Sequence, residues 1–178
     1  MDARDISLTA VFASLYTVIN IVQTMLGGPI TYGPVQLRIA DCLIPLAAIL
    51  GWPAVMGVTF GCFLGNAYYW LSPIDVMLGP VANFIAASSI YWLRKRQLLA
   101  CVVGAFPVGV IVGGYLWLFF PPPEILGFMP VWAAMVVSIT LSSLIVMAII
   151  GYGLLVIFRQ PGVIEPLKSR GLKAATST

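Results

Sequence analysis

Residues 72–119, SPIDVMLGPVANFIAASSIYWLRKRQLLACVVGAFPVGVIVGGYLWLF, hold two apolar runs separated by Arg94-Lys95-Arg96. Each run is about 20 residues long, the length at which an α-helix crosses a hydrocarbon core of roughly 30 Å. Three adjacent cations are expensive in a bilayer, so the stretch reads as two spans, at 74–93 and 98–119, joined by a turn in water.

The same pattern runs outward in both directions. The 178-residue chain is 61% hydrophobic and 8% charged, more apolar side chain than a soluble domain of this size can hide. Proline, glycine or clustered charge marks breaks at GGPITYGP, GWP, LSP, RKRQ and FFPPPEILGFMP. The remaining apolar segments fall at 6–26, 37–50, 53–70 and 131–157. The expected fold is an all-α integral membrane protein: one six-helix domain over residues 1–158 and a short basic tail at 159–178. The N-terminal segment reads as a first span, because Asp2 and Asp5 offset Arg4 and the apolar run exceeds a signal-peptide core.

Charge gives this bundle an orientation. With six spans, Arg4, Arg94, Lys95, Arg96, Arg159, Lys168, Arg170 and Lys173 share one side. Only Arg38 of the 9 basic residues is left on the other. That bias places both termini in the cytoplasm. The outward half then carries Arg38, Asp41, Asp75 and Glu124, and any polar site opening outward must draw on them.

Composition also excludes chemistry. Histidine is absent, and Cys42, Cys62 and Cys101 lie in apolar runs as packing residues, so neither a metal centre nor a disulfide framework is expected. No clustered catalytic set is present. The expectation is a protein that is not an enzyme, holds no cofactor and binds no nucleic acid.

The polar residues fall into patterns. The segment Ile39–Leu50 would be about 18 Å long as an α-helix, too short to cross, so Arg38 and Asp41 sit below the outer surface on one helical face. A helix beginning near Pro34 would instead span fully and bring Arg38 to the headgroups. Gly57, Gly61 and Gly65 recur at i+4, a stripe that lets a neighbouring helix approach closely. Asn66 follows, and then Tyr68, Tyr69 and Trp70, which form either an interfacial belt or the wall of a pocket. Asp75, Gly79 and Asn83 share one face of the fourth span, with Pro80 loosening the helix between them. Glu124, in a proline-rich loop, reads as solvated. Ala10, Ala13 and Ser14 permit close helix packing in the first span.

These residues resemble the QueT family, the queuosine-precursor substrate-binding subunits of energy-coupling factor (ECF) transporters. The resemblance rests on YGPVQLRIADCLIPL, GVTFGCFLGN and SPIDVMLGPVANFIAA over residues 5 to 93, and covers the second half only through hydropathy and topology. Ala40-Asp41 stands where the family usually has Ser-Glu, which keeps the charge with a shorter reach.

The resemblance implies a six-helix subunit of a prokaryotic plasma membrane, surrounded by membrane lipid. It also implies a transmembrane coupling subunit, contacted through Ala10, Ala13 and Ser14, and two ATP-binding subunits. This chain has no GxxxxGK[ST] phosphate loop of its own. The implied ligand is a deazaguanine-type base, queuine or 7-aminomethyl-7-deazaguanine. Asp41 and Asp75 would accept from its donor edge or its amine. Gln36, Arg38 or Asn66 would meet its carbonyl, Tyr69 or Trp70 would stack on the ring, and Asn83 would complete the ligand-facing stripe. The alternatives are an ECF subunit for folate, thiamine, riboflavin or another heterocycle, and a stand-alone small-solute carrier.

Overall fold

The computed structural model describes residues 2–169, excepting the side chains of residues 29, 167 and 168. Arg170, Lys173 and the Lys168 side chain of the basic tail lie outside the described residues. Eight α-helices are present among the described residues: α1 (Ala3–Tyr32), α2 (Ala47–Leu50), α3 (Trp52–Tyr69), α4 (Pro73–Trp92), α5 (Gln97–Leu116), α6 (Val131–Leu144), α7 (Tyr152–Phe158) and α8 (Pro161–Ser169). A 3-10 segment, Ile39–Leu46, leads into α2, and a π-helical stretch, Ile145–Gly151, joins α6 to α7.

Among the described residues, four helical stretches are long and apolar enough to cross a membrane: Ala3–Gly28, Pro73–Trp92, Gln97–Leu116 and Val131–Phe158. The other two expected segments are the 18-residue α3 and the short apolar Ile39–Leu50. The first helix departs furthest from expectation. It kinks at Gly27 (φ −157°, ψ 54°) and then resumes to Tyr32 instead of ending near residue 26. Pro29 falls in the first turn after the kink, where its missing N–H breaks no helical bond.

Local chemistry sets the helix starts. Asp2 and Asp5 form a reciprocal capping box, each carboxylate accepting from the other's backbone N–H at 3.1 Å. Ser72 caps α4 by accepting from the Asp75 N–H at 3.1 Å, and Pro73 occupies the first turn. Ser7, Thr9 and Thr17 turn their hydroxyls back to carbonyls one turn earlier, which removes unpaired donors from an apolar surface.

The bundle is apolar outside and polar within. Val11, Leu15, Val18 and Val22 of α1, Phe60, Phe63 and Leu64 of α3, and Met77, Val81 and Phe84 of α4 face outward. Asn20, Arg38, Asp41, Asn66, Asp75 and Asn83 are buried. Water would drive the opposite sorting, so this surface belongs to lipid. The segment from Ala40 to Gly51 is buried throughout, wrapped by α1, α3, α4 and the π-helical stretch. An element too short to cross is tolerated at that depth because protein surrounds it.

The glycine stripe of α3 packs on α1, as its spacing predicts. A Cβ on Gly61 would stand 2.6 Å from Tyr16 Cβ and 2.9 Å from the Ala13 carbonyl, and one on Gly57 would stand 2.9 Å from the Thr9 carbonyl. Gly61→Val is therefore expected to push α1 off α3 and cost about 1–3 kcal/mol, read as a lowered unfolding temperature in detergent. Unchanged unfolding would show that α1 gives way without loss. Where α4 turns into α5, Arg159 donates to Gln97 Oε1 at 2.8 Å, and Lys95, Arg96, Tyr152 and Arg159 line one cavity of about 360 Å³. The Arg94–Arg96 turn and the end of α7 thus lie side by side.

Candidate functional site

The segment between α1 and the 3-10 helix has no helical ladder of its own; one backbone bond, from the Leu37 N–H to the Ile30 carbonyl at 2.8 Å, and side chains from elsewhere hold it. Gln23 of α1 clamps it from one side, donating to the Leu37 carbonyl at 2.5 Å and accepting from the Ile39 N–H at 2.8 Å. Two serines of α6 hold the other side: Ser138 donates to the Pro34 carbonyl at 2.8 Å, and Ser142 donates to the Val35 carbonyl. Gln36, in the middle, adopts φ +43°, a left-handed conformation that is strained for a residue with a Cβ. Its side chain is 5% exposed, and neither amide atom has a protein partner.

Losing both serine hydroxyls removes two such bonds, each worth about 1 kcal/mol. The double variant Ser138→Ala, Ser142→Ala is expected to raise amide exchange at Leu37 roughly 10- to 30-fold. Unchanged exchange would mean that Gln23 and the bond from the Leu37 N–H to the Ile30 carbonyl fix the segment without the serines.

Behind this segment lies an open ring of polar side chains. Arg38, 1% exposed, donates to Asn66 Oδ1 at 2.8 Å, and its Nε stands 3.9 Å from Asp41 Oδ2. Tyr16 donates to the other Asp41 oxygen, and Asn83 donates to the Tyr16 hydroxyl at 2.9 Å. Asn83 and Asp75 share one face of α4 with no hydrogen bond between them, and the Asp75 backbone carbonyl accepts from Asn66 Nδ2 at 2.9 Å, so both ends of the ring lie on α4. Two branches leave it. Tyr115 of α5 donates to Asp75 Oδ1 at 2.7 Å; Tyr32 donates to Asn66 Oδ1 at 3.3 Å and accepts from Asn20 at 2.9 Å. Gly79 lies between Asp75 and Asn83, where any Cβ would strike the Asn66 amide.

The ring brings together Arg38, Asp41, Asn66, Asp75 and Asn83, with Gln36 two residues from Arg38. Tyr69 stacks on Tyr32, centroids 4.1 Å apart and planes within 3°. The Arg38 guanidinium lies 5.6 Å from the Tyr32 centroid, within cation–π range. Tyr68 and Trp70 turn outward, 58% and 62% exposed, so the aromatic run divides between interior and surface. Glu124 is exposed in a short 3-10 turn, Glu124–Leu126. Of the small residues of α1, Ala10 and Ser14 are exposed and Ala13 is half-buried toward Gly57 and Gly61.

Sequence reasoning missed Tyr16, Asn20, Gln23, Tyr32 and Tyr115. The available signal was an Asn or Gln inside an apolar run, as at Asn20 and Gln23, because a buried amide in a membrane helix needs a partner. The family model described as QueT transporter matches residues 6–160. No curated protein and no solved structure gives a match.

Proposed function

The chain belongs to the QueT transporter family, and from that premise we propose that it is the substrate-binding subunit of an ECF-type importer for a queuosine precursor. In this reading it crosses a prokaryotic plasma membrane six times with both termini in the cytoplasm. It captures queuine or 7-aminomethyl-7-deazaguanine from outside and passes it to a coupling subunit driven by two ATP-binding subunits. Ala10, Ala13 and Ser14 form the contact with the coupling subunit: Ala10 and Ser14 are exposed and let a partner helix come close, and Ala13, half-buried, seats α1 on α3 behind them.

The observation that carries the reading is the group of buried polar atoms without protein partners on and beside the ring: both amide atoms of Gln36, Asp75 Oδ2, Asn83 Oδ1 and Asn20 Oδ1, with Ser88 Oγ further along α4 in the same condition. A buried polar group left unpaired costs about 1–3 kcal/mol, and a polar heterocycle recovers that energy on binding. Arg38, Asp41 and Asn66 orient the set, and Tyr69 on Tyr32 extends a flat aromatic surface beside it. Side chains this buried are reached only when a covering segment moves. Residues 33–38, held by side-chain clamps in place of a helical ladder, are the segment that opens.

Titration of the purified protein tests the proposal, with queuine, 7-aminomethyl-7-deazaguanine, guanine, folate, thiamine and riboflavin compared by calorimetry. Micromolar or tighter binding confined to the deazaguanines is expected. Binding confined to a vitamin would remove the substrate and keep the fold. Uptake into vesicles containing this chain alone would overturn the coupling to ATP-binding partners.

A further inference from the structure

Lys95 and Arg96 sit in the turn between α4 and α5, and Arg159 follows α7, 62 residues beyond Gln97. The fold gathers all three around the cavity of about 360 Å³. Gln97 accepts from Arg159 at 2.8 Å, which holds that guanidinium at the wall, and half-buried Tyr152 adds an aromatic side. Arg94 is committed elsewhere, its guanidinium carbon 4.5 Å from the Tyr91 ring centroid. Three cations therefore surround a volume of the size ligands fill, and no carboxylate stands among the described residues that line it. Like charges set this close repel until an anion joins them. A basic turn by itself follows from the way membrane proteins orient. The convergence of that turn with a distant arginine does not.

The first turn of α5 forms part of the same wall. Gln97, Leu98 and Leu99 line the cavity, no side chain caps the helix, and its first turn holds no acidic residue. The Ala100 N–H bonds the Arg96 carbonyl at 2.8 Å, so the N–H groups of residues 97–99 precede the helical ladder. They add donors to the charge that the three cations already supply.

The lining also says what carries the anion. Leu98 and Leu99 are exposed, so the cavity is cationic within and apolar at its rim. Trp92, three residues before Lys95, is exposed, and Trp52 tilts against Tyr91 with centroids 5.8 Å apart. Such aromatics settle at the level of the headgroups. A free phosphate would use only the cations, whereas an amphiphile uses the cations and the leucines together.

We propose that this cavity binds the phosphate of an anionic phospholipid, whose acyl chains leave past Leu98 and Leu99. In the orientation proposed above it faces the cytoplasmic leaflet, where basic pockets between helices take such headgroups. The site is independent of the substrate carried.

Native mass spectrometry of the detergent-purified protein tests it, with dioctanoyl phosphatidylglycerol and dioctanoyl phosphatidylcholine supplied in equal amounts. One phosphatidylglycerol is expected to stay bound, at least about 10-fold in excess over the neutral lipid. Lys95 and Arg96 are exposed, so Lys95→Gln, Arg96→Gln leaves the helix packing intact. It is expected to lower retention about 30-fold, roughly fivefold for each cation near the headgroup. Arg4→Gln, Arg94→Gln removes two cations outside the cavity from the same end, since α1 runs parallel to α3. That variant is expected to change retention less than about twofold. Equal losses in the two variants, or equal retention of the two lipids, would reduce the site to general surface charge and overturn it. Glycerol phosphate, the same phosphate without chains, is expected to give no heat on titration. Binding as tight as that of phosphatidylglycerol, and lost in Lys95→Gln, Arg96→Gln, would assign the cavity to a soluble phosphate and overturn the lipid occupant.

Discussion

Replacing Arg38 by methionine is expected to destabilise the protein by about 3–5 kcal/mol, the largest effect of any single change proposed here. Methionine fits the space as an unbranched apolar chain, so the loss is electrostatic. Asp41 and Asp75 remain buried, Asn66 Oδ1 loses its charged donor, and the cation over the Tyr32 ring disappears. The double variant Arg38→Met, Asp41→Asn should recover much of that loss. Tyr16 can still donate to the carbonyl oxygen of the introduced amide, and one stranded charge is gone. Thermal and denaturant unfolding in detergent measure both variants. A single variant within about 1 kcal/mol of wild type would place Arg38 with exposed ion pairs, whose contributions are that small.

Asp75→Asn tests the other pole and separates binding from folding. Asparagine keeps the shape, and its carbonyl oxygen can still accept from Tyr115. It removes the unpartnered carboxylate oxygen and the second negative charge of the ring. Binding of 7-aminomethyl-7-deazaguanine is expected to weaken at least about 100-fold, roughly 2.8 kcal/mol at 1.4 kcal/mol per tenfold. Stability without ligand should hold or rise, since relieving excess buried charge is often favourable. Unchanged affinity would remove Asp75 from the site. Loss of fold together with affinity would make it a structural residue.

Much of the bundle was legible because helix length and breakers obey local rules. The segments expected at 74–93 and 53–70 are observed at Pro73–Trp92 and Trp52–Tyr69. The shortness of Ile39–Leu50 was visible as well, and Arg38 and Asp41 at its start are buried among protein. The continuation of α1 to Tyr32 was not, because Gly27-Gly28-Pro29 carries every local mark of a stop and only the surrounding packing shows the helix resuming.

The site divides along the same line. Asp75 and Asn83 announce themselves by sharing a helix face, and Arg38 and Asp41 by being charged in an apolar chain. Tyr16 and Tyr115 do not: a tyrosine in a membrane helix resembles interfacial or core packing until the carboxylate opposite is known. Their partners lie 25 and 40 residues away in the chain, beyond any periodic pattern.

The imbalance of two carboxylates over one guanidinium has an electrical consequence. A membrane potential acts on each uncompensated charge moved across it with about 2.3 kcal/mol per 100 mV. With a protonated aminomethyl ligand of the proposed kind bound, the buried charges of Arg38, Asp41 and Asp75 would sum to zero, and a loaded form that shifted through the bilayer would work neither for nor against the voltage. The empty form, with its excess negative charge, would feel the field on the way back.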